Sequence, residues 1–124
     1  MSEVKQAVKQ SEVKQKEVSA KARFELISPR KVRRVADLIR GKSVQEAEQI
    51  LAFLPHRPAR LLKKVLHSAS ANASNNHHLG KNLVVSRAVI DQGPILRRSQ
   101  PRARGRAFPI NKRMSHITLS VRGE

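Results

Sequence analysis

Residues 93–114 limit what this chain can fold into more than any other part of the sequence. They carry seven Arg and Lys side chains, no Asp or Glu, and few apolar residues, so they cannot bury a core of their own. On either side, residues 83–91 and 116–122 are rich in β-branched side chains and alternate in character, which predicts two strands. We therefore expect an antiparallel hairpin that continues outwards as a basic arm, over about residues 83–121 with its tip at about residues 94–112.

The arm needs a partner surface, because a two-stranded ribbon that projects alone is only marginally stable in water. At ~3.3 Å per residue, a strand that runs from Leu83 to about Pro101 reaches roughly 60 Å. Direct pairing of the two strands also predicts a register, in which a cross-strand acid and cation attract each other. That register places Leu83 beside Val121, Val85 beside Leu119, and Asp91 opposite Arg113.

The charge of the chain predicts the nature of the partner. Lys and Arg total 26 against 9 Asp and Glu, a formal net charge of +17. Between Glu48 and Glu124 the only acid is Asp91, against fourteen Lys and Arg residues, whereas a chain that needs charge only for solubility mixes both signs. Self-repulsion weakens such a fold and a bound polyanion relieves it. Because Arg also makes bidentate contacts with phosphate, nucleic acid is the predicted partner.

The residues before the arm predict a compact head. Residues 22–27 alternate in the manner of a short, half-buried strand, and capping and breaking residues divide the segment between this strand and the arm into three helices. The first helix begins at Ser28-Pro29 and ends at Gly41, the second begins at Ser43 and ends at Pro55, and the third begins at Pro58 and frays near Asn75. The predicted fold class is α+β: a small three-helix head packed on a three-stranded sheet, with a long extended β-hairpin arm.

The head and arm together predict a single domain over residues 21–124, preceded by a tail. The tail repeats Ser-Glu-Val-Lys-Gln at residues 2–6 and 11–15. Low complexity of this kind predicts that residues 1–20 are disordered, or helical only on contact with a partner.

Catalysis and metal binding find little support in the sequence. Cys is absent, which excludes disulfides and thiolate ligands. His77-His78 is a pair of potential metal ligands with no acid nearby, and Asp91 has no second carboxylate for acid–base chemistry. Apolar runs fall far short of the ~20 residues of a membrane span, and no apolar stretch follows the N-terminus as a secretory signal requires. We expect no enzyme, no cofactor, no metal site and no membrane partner.

Several separated motifs occur in an order typical of one family. They are Ser-Pro-Arg-Lys-Val-Arg at residues 28–33 with Val-Ala-Asp-Leu-Ile-Arg-Gly-Lys at 35–42, residues 64–73, Pro-Arg-Ala-Arg-Gly-Arg-Ala at 101–107 after Asp91 and Gly93-Pro94, and residues 112–118. Together they resemble family number twenty-two of the universal large-subunit ribosomal proteins, of the bacterial and organellar type. The resemblance covers residues 22–121.

The resemblance implies a structural constituent of the large ribosomal subunit that binds and organises its rRNA. The implied partners are that rRNA, neighbouring ribosomal proteins and the nascent polypeptide, whose exit tunnel the arm lines with Arg97, Arg98, Arg102 and Arg104. The implied location is the ribosome of the cytoplasm or of an organelle. We expect no homo-oligomer.

The candidate rRNA-binding residues are basic side chains of both the head and the arm. They are Arg30, Lys31, Arg33 and Arg34 of the first helix, Arg57, Arg60, Lys63 and Lys64 of the third helix, Arg87, and Arg97, Arg98, Arg102, Arg104, Arg106, Lys112 and Arg113 of the arm. Arg102, Arg104 and Arg106 point to the same side if that segment is extended. One alternative stays open, an architectural DNA-binding protein whose β arm enters the minor groove with Pro101 as a wedge.

Overall fold

Three helices pack on one three-stranded sheet in the computed structural model, which describes residues 16–123. In chain order the elements are strand β1 (Glu17–Glu25), helices α1 (Pro29–Ile39), α2 (Val44–Phe53) and α3 (Arg57–Asn75), strand β2 (Leu83–Pro101), a short 3₁₀ turn (Ala103–Gly105) and strand β3 (Ala107–Gly123). The sheet is antiparallel with the order β1-β3-β2. The predicted α+β class is confirmed, including the long hairpin.

The core of the head lies between the helices and the inner half of the sheet. Alternating residues of the paired strands and the periodic apolar residues of α1 and α3 form one buried cluster. Its largest fully buried apolar members are Val32, Ile39, Leu62, Leu66, Val85, Ile117, Leu119 and Val121. Because full burial of such a side chain contributes about 1.5–3 kcal/mol, this cluster holds the head together.

Two predicted helix boundaries have clear local causes. The hydroxyl of Ser43 accepts a hydrogen bond from the backbone N–H of Glu46 at 3.3 Å, which caps α2. Gly41 follows α1 with a φ of +80°, a conformation that costs glycine little. In this conformation the N–H of Gly41 donates to the carbonyl of Val85, whose own N–H donates to the carbonyl of Lys42. The connection between α1 and α2 is thereby joined to β2.

The two long strands pair as predicted, but the predicted register is wrong. Leu83 pairs with Gly123 and not Val121, Val85 with Val121 and not Leu119, and Asp91 with His116 and not Arg113. β2 has irregularities at 85–87 and 92–95, and each adds one residue to β2 relative to β3. Alternation could not detect the initial offset of two residues, because a slip of two leaves every side chain on the same face.

β1 begins earlier than predicted, at Glu17 and not at residue 22. Val18 of the added part is buried, and Ala20 packs against the core. The last four residues of the predicted tail therefore belong to the sheet, and the tail boundary was placed too late. Two small inward residues are too weak a pattern to reveal a strand in a low-complexity sequence. The rest of the tail prediction, for residues 1–15, lies outside the described residues.

The sheet narrows from three strands to two at Ser115. The buried hydroxyl of Ser115 donates to the carbonyl of Ile27 at 2.5 Å, which ties β3 to the segment between β1 and α1. Phe24 has a φ of +58°, and its N–H donates to Nδ1 of His116 at 3.1 Å. The pairing of β1 with β3 is irregular between Ala22 and Glu25 and ends where Glu25 pairs with Ser115. Only β2 and β3 continue into the arm.

Gly93 lies where the two strands of the arm leave the head. A Cβ atom at this position would lie 3.1 Å from Cβ of Met114, 3.2 Å from the carbonyl oxygen of Met114 and 3.3 Å from Nε2 of His116. These distances are shorter than ordinary contacts, so a side chain here must push the strands apart. At Gly123 the same atom would meet the carbonyl of Leu79 at 3.4 Å, an ordinary contact.

We expect Gly93→Ala to lower the free energy of unfolding by about 1–2 kcal/mol more than Gly123→Ala does, because only the first overpacks the sheet. Comparing the two variants in urea unfolding cancels the shared effect of replacing glycine in the unfolded chain. Equal free energies of unfolding for the two variants would contradict the close approach at Gly93.

Candidate nucleic-acid interface

The candidate cations face solvent and lack acidic partners. All sixteen predicted binding residues are exposed. Within residues 16–123 the ion pair that forms joins Arg40 to Asp37, neither of which is a candidate. The positive charge of the candidates is therefore not neutralised by the described part of the chain and is available to an external polyanion.

The cations of α1 and of the arm meet at one concavity. Arg30 and Lys31 line it from the start of α1, and Lys112 and Arg113 line it from β3. Its volume is about 480 Å³. The structure thus brings together two pairs of candidates that lie more than 80 residues apart in sequence, at the point where the arm leaves the head.

The start of α3 carries a second basic surface. Arg57, Arg60 and Lys64 follow one another at helical spacing and share a face of the helix. No acidic residue lies in the first turn, so their charge opposes the helix dipole until an anion binds. Lys63 lies apart from them, in a shallow depression that it shares with Gln45 and Glu48 of α2.

The arm tip differs from the extended run that the sequence predicted. Arg104 and Gly105 both have positive φ values, +61° and +70°, and the N–H of Arg102 donates to the carbonyl of Arg106 at 2.7 Å. The three arginines consequently do not alternate along a strand. They line a concavity of about 810 Å³ together with the half-exposed ring of Phe108.

Further down the arm, Arg97 and Arg98 are adjacent in β2 and pair with Asn111 and Ile110 of β3. Adjacent residues of a strand point to opposite faces, so the arm presents cations on both sides. Arg87, also exposed, lies at the first irregularity of β2, in the part of the strand that belongs to the head.

Arg33 has a structural role that sequence reasoning missed. Its Nε and Nη2 atoms donate to the carbonyl of Ile90 at 3.2 and 2.9 Å. Seven residues later, at the C-cap position that follows α1, Nη2 of Arg40 donates to the carbonyl of Ala88 at 2.7 Å. β2 is an edge strand, so these carbonyls point away from the sheet and the two arginines satisfy them. Whether Arg33 also binds RNA stays a prediction.

Leu38 and His56 are further residues that the sequence analysis did not single out. They lie with Lys31, Arg34 and Val35 in a cleft between α1 and the start of α3. Lys31, Arg34, Val35 and Leu38 repeat at i, i+3, i+4 and i+7, which is one helical face. This spacing is present in the sequence, but the stripe of buried apolar residues on the adjoining face is the stronger pattern.

Two negative findings apply to residues 16–123. None of the helices there has both the length and the apolar character needed to cross a membrane. No group of three or more His, Asp or Glu side chains in that range is arranged to hold a metal ion.

Comparison with known proteins identifies the family. The model of the ribosomal protein L22p/L17e family matches residues 20–122, which is most of the chain. The chain belongs to this family. Its basic hairpin and exposed cations are those of a ribosomal protein, and the resemblance predicted from the sequence motifs is confirmed.

Individual relatives that are similar in sequence are also proteins of the large ribosomal subunit. The large ribosomal subunit protein uL22 of Thermotoga sp. (strain RQ2) is 57% identical over 107 residues, covering 86% of this chain and 67% of the relative. The protein uL22c of Pyropia yezoensis is 54% identical, covering 86% of this chain and 92% of the relative. The protein uL22 of Caldicellulosiruptor saccharolyticus is 52% identical, covering 86% and 88%.

The family membership settles several coarse predictions. The chain is a ribosomal protein of the large subunit, located in ribosomes of the cytoplasm or of an organelle. The family is structural and not enzymatic, which confirms that prediction. Membership also favours the ribosomal interpretation over an architectural DNA-binding protein.

Neighbouring arginines on α1 are expected to behave differently when they are replaced. Arg33→Ala removes the donor to Ile90 and should lower the free energy of unfolding by about 1–2 kcal/mol. Arg34→Ala should change that free energy by less than about 0.5 kcal/mol, but should weaken rRNA binding and reduce its salt slope by roughly one. Urea unfolding and filter binding over a range of salt concentrations measure both. The reverse pattern would contradict the roles assigned to them.

Proposed function

We propose that this chain binds and organises the rRNA of the large subunit, with its head on the RNA surface and its arm inserted between RNA segments. Residues 17–123, from the start of β1 to the end of β3, act as one domain in this role. The basic surfaces of α1 and α3 neutralise phosphates where RNA segments converge, which favours a compact particle. The proposal rests on family membership and on the distribution of charge and burial along the hairpin.

The composition and exposure of the arm carry the proposal. Beyond Gln92 and Ser115 the described part of the chain adds no third strand to the arm, and most of the arm's side chains are exposed, with Ile95 and Leu96 only half-buried. It therefore gains little from its own packing, and an isolated ribbon is marginally stable. The arm has seven cations and no acid, so the surface that stabilises it should be one of phosphate groups.

We further propose that the outer part of the arm lines the tunnel for the nascent polypeptide, next to neighbouring ribosomal proteins. Arg97, Arg98, Arg102 and Arg104 are the side chains assigned to the tunnel wall. The closed turn at Arg104 and Gly105 supports this role, because a fixed tip narrows a passage reproducibly. The tip shapes the passage without covalent chemistry, and the protein acts there as a single copy.

Replacing Arg102, Arg104 and Arg106 together by Ala should change passage of the nascent chain more than attachment to the ribosome. The head keeps its own basic surfaces, so sedimentation with large subunits should persist. Elongation on templates that encode tunnel-sensitive peptides should change, and a triple Lys variant, which keeps the charge, should lie between the wild type and the Ala variant. Complete loss of co-sedimentation would contradict this division between head and tip.

Replacing Arg60 and Lys64 by Ala should reduce the slope of log binding constant against log salt by roughly two, because each phosphate contact contributes about one. Lys63→Ala is a control on the same helix. Since Lys63 lies off the face that Arg60 and Lys64 share and lines a depression together with Glu48, its removal should change the slope by less than either of the other two. Equal slopes for the double variant and the wild type would exclude α3 as a phosphate-binding surface.

A further inference from the structure

A cleft of about 410 Å³ lies between α1 and the start of α3, within the usual size range of small-ligand sites. Its apolar lining consists of Val35, Leu38, Leu54 and Pro58. Leu38 is 48% exposed although it lies on a helix of the core. Single exposed leucines are common on protein surfaces, but an exposed leucine in an apolar cleft indicates a binding site. Leu38 and the cleft together can bury a flat apolar group.

The polar lining of the cleft is basic. Lys31 and Arg34 come from α1, and His56 comes from the residue that precedes α3. Among the described residues, none of those that line the cleft is acidic. The cleft therefore combines an apolar surface with two cations and an imidazole that can donate or accept a hydrogen bond.

We propose that this cleft receives one unstacked nucleotide of the large-subunit rRNA; the inference rests on the proposed rRNA binding and deepens it. The face of the base lies against Leu38 and Leu54, the two apolar lining residues that are not fully buried. Arg34 contacts the base or its phosphate, and Lys31 neutralises the phosphate. This nucleotide is read by shape and stacking, in contrast to the phosphate contacts made by the other basic surfaces.

The chemistry of the cleft favours a nucleotide over an apolar side chain of a neighbouring protein. A protein side chain fills the apolar part but leaves the charges of Lys31 and Arg34 without a partner. A nucleotide satisfies both parts at once, since its base has an apolar face and its phosphate carries negative charge. Unstacked bases that lie on aromatic rings or on the guanidinium plane of an arginine are a common basis of RNA recognition, and Arg34 offers such a plane in the cleft.

The test compares Leu38→Asp with Phe53→Asp in the full-length chain bound to purified large-subunit rRNA. Phe53 is a matched control, because it is 88% exposed on α2 and does not line the cleft, so both variants add one negative charge to an exposed apolar position. Leu38→Asp should weaken binding by about tenfold, in line with the loss of one buried apolar contact, and Phe53→Asp by about twofold or less. Chemical probing of base edges should show one nucleotide that the wild type protects and that only Leu38→Asp exposes.

A second measurement keeps the inference testable if Leu38→Asp does not fold. A benzophenone side chain at position 38 should cross-link to a single rRNA nucleotide in reconstituted particles, whereas one at position 53 should not favour that nucleotide. Cross-linking of position 38 to a neighbouring protein, or to no single nucleotide, would overturn the inference and leave rRNA binding intact. Failure of the wild type to bind the rRNA would overturn both.

Discussion

The outer edge of β2 is the constraint on which the rest of this structure depends. A strand at the edge of a sheet leaves every second carbonyl and N–H without a partner in the sheet. In the head, α1 and the connection after it satisfy them, through Arg33 to Ile90, Arg40 to Ala88, and the backbone around Gly41 to Val85. These contacts fix α1 against the sheet, and with it the basic face that continues to the arm.

Beyond Ile90 no described side chain of the head donates to β2 in this way, and the same strand enters a region with no apolar cover. The arm thus continues a strand whose edge groups have hydrogen-bond partners within the head. Beyond the head the described part of the chain supplies no such partners to the edge of this strand. Because its cations repel each other and its backbone edge is open, we expect RNA phosphates to stabilise the arm far more than they stabilise the head. We therefore expect ordering of the arm to be coupled to RNA binding.

The sequence was sufficient for the fold class, for all three helices and for the hairpin, because each rests on a local cause. Pro29, the Ser43 cap and Gly41 act within one turn of the residues that they control. The register and the start of β1 were not predictable in the same way. A bulge depends on how two distant strands meet, and an offset of two residues between Val85 and its partner leaves the apolar alternation unchanged.

The candidate interface shows the same division between local and distant causes. Composition alone identified the exposed cations, since few acids accompany them and none lies in residues 93–114, but it could not show which cations the fold uses for itself. Arg33 and Arg34 are adjacent and chemically identical, yet a turn of 100° per residue on the helix directs one to a carbonyl of β2 and the other to the cleft near His56. Arginines that face the edge of β2 stabilise the fold, whereas those that face away from it are free to contact RNA. Their position, and not their charge, makes this difference.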